Sequence, residues 1–301
     1  MTKEASQPSR RYSIGSAAFE ADSLGPGLYI VATPIGNLGD MTLRALSTLT
    51  AADTVLCEDT RITARLFERY AIRVPLAPYH EHNAAKVRPG ILARLKEGAR
   101  IALVSDAGMP LVSDPGYRLV QEAVAEGIPV TACPGPSAVL TGLALSGLPS
   151  DRFAFFGFMP QKSNERKRLL TEISTWRATL IFFDSPHRIC DTLGDLAAAL
   201  PGRKVAVARE LTKLYEEVLR GTAGEVGAQL AERAAIKGEI TLLVGPPDAD
   251  GPPLSDAELM AAIDEALKKQ PASKAAAEVA KRHGLSKKDV YDRILALKFD
   301  D

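Results

Sequence analysis

Five short apolar runs, at 28–33, 54–58, 75–79, 101–105 and 128–133, are separated by segments of helical periodicity at 42–52, 61–70, 83–97 and 116–126. No other feature of the chain restricts its fold as strongly. Repeated strand and helix of this kind predict an α/β class with a mostly parallel, helix-covered sheet. Pro89 marks a start or a kink in the third helix. A helix at 136–146 leads into a second set, with strands at 153–158, 179–183, 205–209, 217–221 and 240–244 and helices at 163–176, 186–199 and 224–235. A length of 301 residues suits two such domains at roughly 150 residues each. The expected bounds are a disordered leader over 1–26, an N-terminal domain over 27–135 and a C-terminal domain over 136–246. A linker rich in proline, glycine and aspartate follows at 245–253. Residues 255–299 then read as a helical unit whose last two helices, joined at Gly284, suggest helix-turn-helix.

Composition narrows the partners. Lys+Arg and Asp+Glu both number 37, so no global field draws the protein to nucleic acid and any basic surface is local. One candidate is the tail, where Lys268 to Lys298 hold nine Lys/Arg against three Asp/Glu. Cys57, Cys133 and Cys190 form no C-x-x-C pair and sit beside apolar runs, as small core residues of a cytoplasmic protein would. The leader lacks the apolar core of a signal peptide. The uncharged stretch 127–150 is divided by Pro129, Pro134, Pro136 and Pro149, too finely for a helix to cross ~30 Å of hydrocarbon. His80-Glu81-His82 offers two alternating ligands and no third, so no metal is expected.

The chemistry gathers at strand ends. The first strand stops at Thr33-Pro34, Gly36 and Gly39 allow a tight turn, and Asp40 or Thr42 caps the next helix. A dinucleotide site would want G-x-G-x-x-G, and here only Gly36-Asn37-Leu38-Gly39 stands, with Asp59 where a ribose-binding acid would lie. Two further strands end alike. One runs into Ser105-Asp106-Ala107-Gly108-Met109-Pro110 and Ser113-Asp114-Pro115-Gly116, the other into Cys133-Pro134-Gly135-Pro136-Ser137-Ala138. A parallel sheet brings all three loops to one edge. Their small residues expose backbone groups suited to an adenine edge and an amino-acid tail, and Asp106 can accept from a ribose hydroxyl or an amino group. Three ordinary turns would use the same residue types.

These motifs resemble the tetrapyrrole-methylase superfamily. Cys57-Glu-Asp-Thr-Arg, Gly157-Phe-Met-Pro-Gln-Lys, Asp184-Ser-Pro-His-Arg-Ile, Ala208-Arg-Glu-Leu-Thr-Lys and Lys237-Gly-Glu-Ile-Thr resemble its ribosomal small subunit methyltransferase I branch, and so does the tail. The resemblance implies a dimeric S-adenosylmethionine-dependent enzyme acting on 16S rRNA, at the ribose 2′-hydroxyl of a cytidine in the decoding region. It implies a cofactor cleft between two α/β domains. Carried over by position, the contacts are Pro34, Asp106, Ala107, Met109, Ser137 and Ala138, with Phe183, Asp184, Gly238 and Glu239 from the second domain. The superfamily's Gly-Asp-Pro loop reads Asp106-Ala107-Gly108 here, and Phe183-Asp184 replaces its usual methionine.

A ribose hydroxyl is a poor nucleophile, so a base beside it would help. Candidates are Glu58, Asp59, His187 and Glu210; their bland roles are a helix cap for Asp59, packing for His187 and a strand-edge ion pair for Glu210. Arg61, Arg188, Arg209 and Lys213 could hold flanking phosphates. Lys162, Arg166, Lys167 and Arg168 follow Phe155, Phe156 and Phe158, which suits single-stranded RNA, or equally a buried strand before a solvated helix. The alternatives are C-methylation of a tetrapyrrole and a helix-turn-helix regulator that senses the cofactor without turnover.

Overall fold

The computed structural model describes residues 10–247, 256–268, 270–283 and 285–297. It opens with a hairpin of β1 (Arg11–Ile14) and β2 (Ala17–Glu20), followed by β3 (Gly27–Val31), α1 (Leu43–Ala51), β4 (Thr54–Cys57), α2 (Thr60–Arg69), β5 (Leu76–Pro78), α3 (Glu81–Lys96), β6 (Arg100–Val104), α4 (Tyr117–Ala125) and β7 (Val130–Cys133). The five strands β3 to β7 form one wholly parallel sheet in the order β5-β4-β6-β3-β7.

Alternate residues face opposite sides, as the pleat requires. Leu28, Ile30, Ile101 and Leu103 pack on α3 and α4, whereas Val31, Val55, Ala102 and Val104 meet α1 and α2. Thr42 caps α1 by accepting from the Ala45 N–H at 3.1 Å. Of the apolar positions expected on that helix, Leu46 and Leu49 are buried, but Leu43 is exposed. α3 runs straight through Pro89 instead of starting there.

α5 (Ala138–Ser146) carries the chain into the second half: β8 (Phe153–Phe158), α6 (Ser163–Glu172), β9 (Thr179–Asp184), α7 (Ile189–Ala199), β10 (Lys204–Arg209), β11 (Glu217–Thr222), α8 (Ala223–Ala231) and β12 (Ile240–Val244). Their sheet has the order β11-β10-β12-β9-β8, parallel between β8 and β9 and antiparallel elsewhere. The short connection between β10 and β11 permits only an antiparallel pair, since a parallel one needs a crossover. One face, with Phe182, Val207 and Leu242, packs under α6 to α8. The other face carries Ala206 and Ala208 and receives α5, whose Gly142 lies so close that an added Cβ would stand 3.0 Å from Thr241 Cγ2.

α9 (Asp256–Leu267), α10 (Ala272–His283) and α11 (Lys287–Leu297) build a core of their own around Ile263, Ala276, Val279 and Ile294. Gly284 and most of the expected linker, 248–253, lie outside the described residues. No helix among the described residues is long and apolar enough to cross a membrane.

Two expectations need correction. The leader over 1–26 is not wholly disordered, because residues 11–20 form the hairpin; residues 1–9 lie outside the described ones. Tyr12 is 6% exposed in the α1–α2 core and Ser13 donates to the Tyr70 carbonyl at 2.7 Å. Cys57 and Cys133 are buried as expected, but Cys190 is exposed on α7.

Asp53 anchors the hairpin side. It accepts from Arg100 at 2.6 and 3.0 Å and from Arg10 at 3.0 Å. Hydrogen bonds from Arg100, with those of Arg10, hold its carboxyl well below the usual carboxylate range. A depressed acid stabilises the fold above its unfolded pKa of about 4 and loses that contribution as pH falls. Asp53→Asn should therefore cost about 1.5–3 kcal/mol in denaturant titrations at pH 7. The gap from wild type should narrow progressively below about pH 4.

Candidate active site

The carboxyl ends of β3, β4, β6 and β7 are level, since Val31 registers with both Val104 and Cys133, and Leu56 with Leu103. The loops that follow are tied to each other. Thr33 donates to the Gly108 carbonyl at 2.9 Å and Gly108 returns a bond to the Thr33 carbonyl at 3.0 Å. The Thr33 hydroxyl donates to the Ser105 carbonyl at 3.0 Å, and the Ser105 hydroxyl to the Gly108 carbonyl at 2.9 Å. Gly108 has φ +83°, and a Cβ on it would lie 3.3 Å from Ile35 Cγ2 and 3.7 Å from the Pro136 carbonyl oxygen. All three glycine-rich loops thus converge on one residue. The loop after β4 joins through the Asp59 N–H, which donates to Asp106 Oδ1 at 3.0 Å.

Above this junction, between the two sheets, lies a cavity of about 270 Å³. Ile35, Met109, Val139, Phe183, Leu211 and Ile240 form its apolar walls. Four acidic residues line it, Asp106, Asp114, Asp184 and Glu239, the Asp184 side chain being itself fully buried, and among the described residues no lysine or arginine does. Mostly apolar walls with a few placed polar groups are what small-molecule sites show.

Phe158 reaches the cavity through an irregularity. Gly157 has φ +71°, the β8–β9 register shifts between Phe155 and Phe158, and the Phe158 ring is turned out to 62% exposure. It meets Phe183 edge to face, with ring centroids 5.5 Å apart. Phe155 and Phe156 are packed inward instead, the latter stacked on Phe182 at 5.3 Å.

Of the residues expected to contact a cofactor, Asp106, Ala107, Met109, Ser137, Ala138, Phe183, Asp184 and Glu239 line the cavity. Ser137 also caps α5. Pro34 and Gly238 do not line it. Pro34 is buried behind Ile35, and Gly238, at φ +90°, makes room for Glu210, whose Cδ would lie 2.4 Å from an added Cβ. Ile35, Val112, Phe158, Leu211 and Thr241 line the cavity without having been singled out as contacts. They come from five separate segments, and nothing in their types marks them in the sequence.

None of the four proposed bases lines the cavity. Asp59 caps α2 and is held at about pKa 2 by hydrogen bonds from Arg61. Glu210 accepts from Lys213 Nζ at 2.8 Å and from the Glu239 N–H at 3.1 Å, and Lys213 holds its carboxyl low. His187 is exposed in the turn after β9. Glu58 is exposed at the end of β4 and acts through its field on Asp114. Burial first, then the charges of Glu58 and Asp106, push Asp114 up to about 6. Asp114 was visible in the sequence only as part of a turn motif.

The expected phosphate contacts separate similarly. Arg166 is corrected: its side chain is 4% exposed, its Nε donates to Asp195 Oδ2 at 2.7 Å, and Nη1 reaches the Pro160 carbonyl at 3.3 Å. Its charge belongs to the α6–α7 packing. Arg209 is occupied by Glu217 at 3.2 Å and the Lys237 carbonyl at 3.0 Å, and Arg188 by Asp184 at 3.2 Å. Lys213 lays its stem on Gly36 and bonds both Glu210 and Glu239. Arg61, Lys162 and Lys167 are 86%, 80% and 59% exposed and remain available, paired only with solvated acids or, for Lys167, with Asp195 at 3.5 Å. His80 stands at the head of α3, and among the described residues no group of three metal-ligating side chains occurs.

Gly108→Ala should cost about 1–2 kcal/mol, the penalty of a side chain in left-handed backbone, and should loosen the loop junction. Chemical denaturation measures the first effect and proteolysis within 105–116 the second.

Residues 27–227 match the profile of a family described as Tetrapyrrole (Corrin/Porphyrin) Methylases, and residues 253–298 match an RsmI C-terminal HTH domain. Similar curated proteins named Ribosomal RNA small subunit methyltransferase I include one from Mesorhizobium japonicum, 50% identical over 95% of this chain and 97% of its own. Another, from Escherichia coli O157:H7, is 44% identical over 90% of this chain and 95% of its own. Among solved structures, the methyltransferase CobJ aligns at a TM-score of 0.56 and 20% identity, covering 73% of this chain and 94% of its own. A uroporphyrin-III-C-methyltransferase from Thermus thermophilus aligns at 0.51 and 23%, with the same coverage, which shows the shared fold.

Proposed function

Since the chain belongs to the tetrapyrrole methylase family, in the branch named ribosomal RNA small subunit methyltransferase I, we propose that it methylates small-subunit ribosomal RNA. The donor in this reading is S-adenosylmethionine, and the acceptor is the ribose 2′-hydroxyl of a cytidine in the decoding region. The working form is a cytoplasmic homodimer. When bound, the donor supplies an electrophilic methyl group on a positively charged sulfur.

The cavity carries the reading. Its apolar walls suit an adenine ring, and its acidic lining favours a ligand bearing a sulfonium and an ammonium group. The converged loops hold Ala107, Met109 and Ser137 in fixed places, so the chain supplies orientation before the acceptor arrives. The same lining disfavours the tetrapyrrole alternative. A porphyrinogen presents several carboxylates, and no cation among the described residues lines this cavity to receive them. RNA asks instead for cations spread over a wider surface, and Arg61, Lys162, Lys167 and Arg168 are exposed outside the cavity.

Two measurements test this. Calorimetry should show S-adenosylmethionine binding to the isolated protein. Small subunits from a strain lacking the enzyme, incubated with labelled donor and digested to nucleosides, should carry label on cytidine ribose. Absence of donor binding, or label on uroporphyrinogen alone, overturns the proposal. A regulator without turnover would bind the donor and transfer nothing.

The exposed lysines of α6 generate a second expectation. Lys162→Ala combined with Lys167→Ala should weaken RNA binding evenly across sequences. The slope of log K against log salt should fall by about 1.4, at ~0.7 for each single-strand phosphate that the two lysines no longer neutralise.

A further inference from the structure

We propose that Asp114 is the general base of this site, its carboxylate taking the proton from the attacking ribose hydroxyl. The assignment rests on the methyltransferase reading above. It begins from a comparison of the acids around the cavity. Asp184 is paired with Arg188, and Glu239 and Glu210 share Lys213. Asp59 is paired with Arg61, and Asp106 accepts the Asp59 N–H. A carboxylate held by a cation or a backbone donor gives up basicity to it. Asp114 is the cavity-lining carboxylate that, among the described residues, has neither; the nearby Ser105 hydroxyl gives its proton to the Gly108 carbonyl.

The loop that carries it is strained. Leu111 and Ser113, neither of them glycine, sit at φ +72° and +65°. Gly116 follows at φ +133°, where a Cβ would lie 2.7 Å from Leu103 Cδ2. Such conformations are costly and persist where surrounding structure holds them. Ser113 also stands close to the second half of the molecule, its hydroxyl oxygen 3.5 Å from where a Cβ on Gly157 would be.

The groups that face Asp114 are Glu58 from the end of β4, and Ser105 and Asp106 from the end of β6. Across the cavity stand Asp184 with Arg188, and Glu239 with Lys213. Burial and the two nearest acids raise the carboxyl to about 6, close to the range where a base works best at neutral pH. In the step itself the 2′-oxygen forms a bond to the methyl carbon and its O–H proton passes to Asp114. The carbon–sulfur bond breaks with its electron pair left on sulfur as a thioether.

The test has two arms. In donor-free protein labelled with 13C at aspartate carboxyls, one resonance should titrate near pH 6. It should vanish in Asp114→Asn and move to lower pH in Glu58→Gln, which removes a facing charge from an exposed position. In single turnover with saturating donor and subunits, Asp114→Asn should lose about 10²-fold or more in rate. Its donor affinity should fall far less than its rate, since other acids still line the cavity, and Asp114→Glu should recover part of the lost rate. The wild-type rate should rise with pH and then level, with its inflection below that of the donor-free protein because the bound cation favours the carboxylate. If Asp114→Asn keeps a rate within threefold of wild type, or no aspartate titrates above about pH 5, the assignment is overturned while the enzyme reading stands. A wild-type protein that neither binds the donor nor methylates RNA overturns both.

Discussion

Two hydrogen bonds between Thr33 and Gly108 decide whether this molecule has a site at all. Each contributes only about 1 kcal/mol net. Their effect is positional: they join the loop after β3 to the loop after β6 where both leave the sheet. Glycine suits that place, because its backbone is left-handed and a Cβ there would crowd Ile35 at 3.3 Å. The parallel sheet delivers the loops to one edge, and this junction fixes them against each other.

The strand-and-helix frame of the first half was legible in the sequence because parallel strands, buried on both faces, appear as unbroken apolar runs. The three loops were legible for a related reason, since Gly, Pro and Asp are concentrated where backbone must turn sharply or stay exposed. What escaped depends on long-range packing. Arg166 has the composition of a solvated helix start, yet a single aspartate 29 residues away takes it into the interior. Tyr12 sits in a stretch that looks like a leader, and only the neighbouring α1–α2 core gives its ring a place. Asp114 was readable as a turn former. Its distinction, a cavity acid left with neither a cation nor a backbone donor, is a property of what the neighbouring acids have found.

Charge is sorted by depth. Inside the cavity the lining is acidic, and the cations that might neutralise it lie behind or beside the carboxylates they bind. Outside, Arg61 and the lysines of α6 are solvated. A chain with no net charge thereby presents one sign to a small cationic ligand and the other to a polyanion. The sum over the whole sequence conceals both fields.

The seam between α5 and the second sheet is made of Gly142, Ala206 and Ala208, and its closeness sets how far Ser137 and Ala138 project into the cavity. Substitution is therefore unevenly tolerated. A charged residue at the rim can be exchanged at little expense to the scaffold, whereas one extra methyl group at that seam lifts a helix and moves the floor of the reaction chamber. The residues with least freedom to drift are the smallest and chemically the plainest in the chain.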